Sequence, residues 1–289
     1  MTGVGPWDAA VVIAKALSYA ATLGAAGGVF FVTYCHSLLE ASNGRRIRRW
    51  IGALLVVAAL ASGAKVLAMA ASMSGEPAGM FDVSLDAMVL RSGEGWAIAV
   101  RLLGVGCVAG ALAAGRPAPA LALMGGAALA TSFAWVGHVH TLPSTALPTL
   151  VLALHLLAAA FWLGALVPLA LVARDPDLSR VASVTSRFGN AALLVVLALL
   201  GAGVCLLWLL LHPLSALWSG DYGRLVLLKL VGVAALLALA AFNHRRVTPR
   251  LLAGDRRATA ALRKSIAVEI AAACAVLVVT AAMTTLAGP

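Results

Sequence analysis

Leu150 to Val172 reads LVLALHLLAAAFWLGALVPLALV, a stretch without a single Lys, Arg, Asp or Glu. A run of that length and apolarity is long enough to cross a bilayer as a helix. One ionisable group interrupts it: His155, a turn or two inside. An imidazole at that depth is costly to desolvate, which marks it as a candidate functional residue. Just upstream, the connecting loop opens with Gly137-His138-Val139-His140. Three of the chain's six histidines therefore fall within eighteen residues, at one end of two adjoining spans.

The remainder of the chain has the same character. Of its 289 residues 62% are hydrophobic and 11% charged, against roughly 25% charged in soluble domains. Pro, Gly and charge clusters divide it into about eight transmembrane helices, so the expected fold is an all-α polytopic membrane protein. The expected spans are Asp8–Leu39, Trp50–Ser72, Trp96–Ala114, Ala118–Gly137, Pro148–Val172, Asn190–Leu211, Gly223–Asn243 and Ser265–Leu286. No long soluble domain is left over. The N-terminus lacks the basic segment of a cleavable signal peptide, and its first apolar stretch is long enough to be retained as a helix. Cys35, Cys107, Cys205 and Cys274 lie in or at the ends of spans without a CxxC pair, and read as small packing residues.

Cationic residues alternate between loops. Arg45, Arg46, Arg48 and Arg49 follow the first span, Arg116 the third, and Arg174, Arg180 and Arg187 the fifth. Arg245, Arg246, Arg250, Arg256, Arg257, Arg263 and Lys264 precede the last. The positive-inside rule makes these loops cytoplasmic and places both termini in the periplasm of a bacterial inner membrane. The net charge of +10 is thus topological, and no soluble basic domain exists to present to a nucleic acid.

The opposite loops are acidic, with Asp8, Glu76, Asp82, Asp86, Glu94 and Asp221, and they share their side with His138, His140 and His212. Met69, Met73, Met80, Met88 and Met283 also lie there or at the outer helix ends. Carboxylate, imidazole and thioether groups together suit a transition metal better than Mg²⁺ or Ca²⁺. His138, His140 and His155 are the candidate ligands, with Met73, Met80, Met88, His212 and Met283 as candidate additions.

A weak internal duplication runs through the chain. Lys15 precedes Leu23-Gly24-Ala25 by the spacing at which His155 precedes Leu163-Gly164-Ala165. Ala53-Leu54-Leu55-Val56-Val57 recurs as Ala192-Leu193-Leu194-Val195-Val196, and Arg101-Leu102-Leu103-Gly104-Val105 resembles Lys229-Leu230-Val231-Gly232-Val233. The near-constant offset points to two parallel four-helix halves, residues 1–139 and 140–289, an arrangement that transporters use. It makes Lys15 equivalent to His155, and Arg101 to Lys229. At 1.5 Å per residue, Lys15, Lys65, Arg101, His155 and Lys229 each lie roughly 7–12 Å below the outer end of their helix. Either their stems snorkel to the headgroups or they form one inward-facing tier paired with the outer carboxylates. Such a tier keeps a nearby imidazole neutral but repels a bare metal ion, and it could instead hold an anion. Glu269, near the cytoplasmic end of the last span, either lines a polar track through the bundle or pairs with Lys264 or Arg263 at the interface.

His155-Leu156-Leu157-Ala158-Ala159-Ala160-Phe161-Trp162-Leu163-Gly164-Ala165-Leu166 resembles the HLLAAAxWxGxL signature of the copper resistance D (CopD/PcoD) family. Arg187-Phe188, Asp221 to Leu230 (DYGRLVLLKL), Asn243-His244-Arg245 and Leu262 to Glu269 (LRKSIAVE) are similar to its later motifs, and Gly137-His138 to a Gly-His that ends its fourth span. The resemblance covers mainly residues 131–289, the first half fitting by hydropathy and order. It implies an inner-membrane protein that moves copper from periplasm toward cytoplasm. On matching positions it carries over to His138, His155, Trp162, Lys229 and Glu269, with Trp162 packing beside the site. His140 and the methionines rest on chemistry alone.

The leading expectation is a copper-binding permease, with the lipid bilayer and a periplasmic copper-binding protein as partners. One alternative is a haem-binding redox protein, haem b held between histidines with propionates on the basic tier. Another is a factor that delivers copper without transporting it. No P-loop is present, and no Ser-His-Asp, HExxH or paired-carboxylate constellation appears, so an enzyme is not expected.

Overall fold

The computed structural model describes residues 5–114, 118–137, 145–211 and 215–287, which are helical with no strand among them. The chain is an all-α polytopic membrane protein. Seven of the helical segments among the described residues are long and apolar enough to cross a bilayer, and Pro119–Trp135 is a shorter apolar one. The helices are α1 Pro6–Cys35, α2 Ala41–Ser74, α3 Val83–Arg91, α4 Gly93–Ala113, α5 Pro119–Thr131, α6 Ala146–Leu163, α7 Leu166–Val172, α8 Leu178–Leu210, α9 Ala216–Ser219, α10 Asp221–Phe242, α11 Thr248–Leu252 and α12 Arg257–Leu286.

Several helices outrun their apolar windows. The arginines expected in a loop after the first span lie on the opening turns of α2, which begins at Ala41. Arg180 and Arg187 lie on α8, and Arg257, Arg263 and Lys264 on α12. Arg and Lys are good helix formers, and at a membrane surface they extend a helix without entering the hydrocarbon. Hydropathy therefore marks where lipid begins rather than where the helix does. A second difference is α3, a short helix within what reads as an outer loop. Asp82 caps it, its side chain accepting from the amides of Ser84 and Leu85.

The apolar stretch from Leu150 to Val172 folds as two pieces. Pro168 has no N–H to return to the Gly164 carbonyl and its ring crowds that turn. The chain accordingly breaks between α6 and α7 at Gly164-Ala165.

α1 lies at the centre, against α2, α5, α6 and α12; α4 packs on α5, α6 on α8 and α10 on α12. At the α1–α6 crossing the two backbones touch. A Cβ at Gly27 would fall 1.9 Å from the Ala160 carbonyl oxygen, and one at Gly164 would fall 2.6 Å from that of Leu23. In lipid, helix association relies on such close packing because no hydrophobic force drives helices together. Aromatic side chains fill the neighbouring layer, with Phe188 stacked on Phe161 at 5.4 Å and Phe31 5.8 Å away.

The end of the bundle rich in arginine is held by a polar clamp. Asp175, in the α7–α8 turn, accepts from Asn43 of α2 at 2.6 Å and from Arg180 of α8 at 2.9 Å. Burial alone would raise the Asp175 carboxyl, but the Asp177 amide, Arg180 and Asn43 together hold it below the usual carboxylate range. A depressed folded-state pKa stabilises the fold at neutral pH, and that stabilisation is lost as pH falls through it. Asp175→Asn is expected to cost about 2 kcal/mol at neutral pH and to flatten the acid side of the stability profile. Thermal unfolding in detergent checks this: an acid limb unchanged from wild type would remove Asp175 as its source.

Candidate metal and charge sites

His155 sits on the α6 face that meets α8. Its Nδ1 lies 3.2 Å from the Leu199 carbonyl oxygen. A carbonyl only accepts, so Nδ1 carries the proton and donates, and Nε2 keeps its lone pair. An imidazole fixed at one nitrogen by a backbone carbonyl is the arrangement that orients a metal-ligating histidine. Gly203, one turn further along α8, lies against the ring: a Cβ there would stand 3.4 Å from His155 Cε1. Lys229 of α10 is within electrostatic range of the imidazole. It has no hydrogen-bond or ion-pair partner among the described residues. Trp162, two turns along α6, is buried in the main core.

The other candidate ligands do not gather at His155. His138, His140 and His212 lie outside the described residues. Met73 and Met88 are exposed, on α2 and α3, and Met80 is half-buried in the short 3₁₀ turn Pro77–Phe81. Met88 lines a shallow groove with Val83, Ser84, Ala87, Arg91 and Ser92, which contains no second thioether. Met283 is buried beside Leu211, Tyr222 and Val226. Among the described residues, no group of three or more His, Cys, Asp or Glu side chains is placed to hold a metal ion.

The expected tier divides. Its first part lies among α1, α2, α4 and the 3₁₀ turn Ser132–Trp135 that continues α5. Lys65 and Glu94 form an ion pair at 2.6 Å, their side chains 4% and 7% exposed. Arg101 is wholly buried. It donates through Nη1 to Ser62 Oγ at 2.8 Å and through Nε to Ser132 Oγ at 3.2 Å, and it lies 4.3 Å over the Phe133 ring. Tyr19 packs edge-on against the same ring at 4.6 Å. Lys15 donates to the Thr284 carbonyl at 3.0 Å and to Thr285 Oγ1 at 3.4 Å, both on the last turns of α12. A cation there is favoured by the helix dipole.

Pairing with outer acids is therefore realised for Lys65, whereas Lys15 and Arg101 use carbonyl and hydroxyl oxygens. An uncompensated charge at membrane depth costs about 2.5–3.5 kcal/mol on insertion scales, so each contact offsets a substantial penalty. The serines were not singled out in the sequence, although one pattern points to them. Glu94, Ala97, Arg101, Gly104 and Val108 form a single buried stripe on α4, and an arginine in such a stripe requires acceptors opposite it.

His155 and Lys229 form the second part, between α6, α8 and α10. Glu269 belongs to neither. It lies about 24 Å along α12 from Thr285 at 1.5 Å per residue. Its carboxylate accepts from Asn243 Nδ2 and, at 3.4 Å, from Ser265 Oγ. Pairing with Lys264 or Arg263 does not occur. Five and six residues earlier on the helix, they are turned about 140° and 120° away and are exposed. Asn243 opens a π-helical turn, Asn243–Val247, the wider winding that often accompanies functional positions. Hydropathy carries no trace of it.

Residues 6–142 match the family model described as copper resistance protein D-like, N-terminal domain, and residues 182–283 match copper resistance protein D. The similarity therefore extends through the first half, beyond the region 131–289 where the motifs are legible. His138 and His140 fall in the first match and Lys229 and Glu269 in the second, while residues 143–181, with His155 and Trp162, lie between them. Neither the curated proteins nor the solved structures compared with the chain give a match. Two family matches in chain order, on an all-α bundle with buried charges between its helices, lead to one conclusion: the chain belongs to the copper resistance protein D family.

Proposed function

We propose that this protein takes up copper from the periplasm and passes it toward the cytoplasm across the bacterial inner membrane, acting as a carrier rather than an enzyme. The observation that carries the reading is the oriented imidazole of His155, with Nδ1 held by Leu199 and Nε2 free for a soft cation. Family membership supplies the metal class. The acidic groups at the α3 end, Asp82 and Asp86 among them, raise the local cation concentration and draw copper from a periplasmic donor protein. The arginine-rich end faces the cytoplasm by the positive-inside rule. In this reading the chain consists of two parallel four-helix halves. The pairing of α1 with α2 and of α6 with α8 supports this, as does the pairing of α4 with α5 and of α10 with α12.

His155→Ala is expected to abolish high-affinity copper binding by the purified protein and copper-dependent accumulation in cells. Unchanged accumulation would remove His155 from the path. A Soret band in the purified protein, with no copper by elemental analysis, would replace the copper reading with a haem one. Proteoliposomes separate transport from delivery, since a delivery factor need not move copper across a sealed bilayer.

A further inference from the structure

The first part of the buried tier contains more donors than the protein itself satisfies. Of Lys15, Lys65 and Arg101, only Lys65 is in ion-pair contact with a carboxylate among the described residues, that of Glu94. Asp8, the next acid along α1, is already engaged by Ser72 Oγ at 2.7 Å and by the Gly5 amide at 3.1 Å. Three buried donors have no partner among the described residues: Nη2 of the wholly buried Arg101 and the hydroxyls of Ser18 and Thr22, both also wholly buried. Ser18 and Thr22 stand one helical turn apart on α1, on either side of Tyr19 in sequence. Tyr19 shares the Phe133 ring with Arg101 and lies within electrostatic range of both Arg101 and Glu94. Lys15 is within range of Lys65 and Glu94. Lys15, Ser18, Tyr19 and Thr22 recur at helical spacing on one face of α1, the face that meets the Phe133 ring on which Arg101 lies.

Buried donors are rarely left unmade, and a cluster of them points to a bound water or ion. The sign of the cluster selects between the two. Guanidinium and ammonium groups donate and never accept, and hydroxyls turn to donate when an acceptor is present. We propose that the Arg101 cluster binds a small monovalent anion of halide size. Arg101 Nη2 and the hydroxyls of Ser18 and Thr22 are its donors, Lys65 and Lys15 supply the field, and a water joins it to the free Glu94 Oε1. The site is independent of the copper reading at His155, which lies between other helices.

The test uses the intact chain purified in detergent, in sodium bromide or in sodium gluconate at equal ionic strength. Bromide is expected to raise the unfolding temperature in a saturable way. Crystals grown in bromide are expected to show an anomalous peak beside Arg101. The double substitution Ser18→Ala, Thr22→Val keeps every charge and removes two donors. It is expected to weaken bromide at least about tenfold, the loss that one charge-assisted hydrogen bond represents, while the protein still folds in gluconate. Equal unfolding temperatures in the two salts would overturn the proposal. So would a bromide dependence identical in variant and wild type, or anomalous peaks confined to the surface; each leaves water as the partner of these donors. Should the double variant fail to fold, the anomalous map of the wild-type protein decides alone.

Discussion

Gly27→Ala is expected to destabilise this protein by about 3 kcal/mol or more, at the upper end of what overpacking a core costs. The added methyl would stand 1.9 Å from the Ala160 carbonyl oxygen and 2.6 Å from Gly164 Cα. Neither is the flexible end of a side chain, so α1 and α6 must separate. Separation loosens the layer around Phe31, Phe161 and Phe188 as well. Against a total stability of about 5–15 kcal/mol, that is a large fraction. Gly106→Ala is the control, because a Cβ at Gly106 meets nothing within 4 Å and the substitution improves helix propensity. Unfolding in detergent reads both. A Gly27→Ala protein as stable as Gly106→Ala would show that the crossing does not have the close geometry described above.

The Lys65–Glu94 pair carries the second large effect. Glu94→Leu leaves an ammonium buried without its counter-ion and is expected to cost about 3–5 kcal/mol. Lys65→Met in the same protein should recover most of that, because removing both charges also removes both desolvation penalties. The double-mutant cycle isolates the coupling, expected in the range of about 0.5–3 kcal/mol for groups in contact. A double variant no more stable than Glu94→Leu alone would mean that Glu94 acts through another partner. Arg101, which reaches serine hydroxyls rather than the carboxylate, is the first to test.

The apolar windows and the costly residues inside them were legible from the sequence, because both follow from transfer free energy. Lys65, Arg101, His155 and Lys229 stood out for that reason, but the expectation of outer acids as their partners holds only for Lys65. Which acid pairs with which cation was not legible, since Glu94 meets Lys65 through the rotation of two helices. Serines 18, 62 and 132 are too common in membrane helices to attract notice individually. Helix ends were misread wherever arginine continues a helix beyond lipid. Gly164 shows a further limit. It stood in the sequence only as part of a motif, whereas the structure gives it and Ala160 a packing task against Gly27. Asn243 was noticed only as a motif position, because a π turn has no hydropathic period of its own.

The helices of the bundle are unequally covered. In their most apolar windows α1 and α2 are 44% buried, while the segments containing α8 and α10 reach 17% and 11%. Leu199, whose carbonyl accepts from the imidazole, and Lys229, within its electrostatic range, belong to those sparsely covered helices. His155, itself only half-buried, thus lies between helices covered largely by whatever surrounds the chain, acyl chains in a cell and detergent after extraction. The dielectric around it is set jointly by protein and amphiphile. A ligand constant measured there describes the solubilised particle, and changing lipid thickness or headgroup is in effect a change of wall.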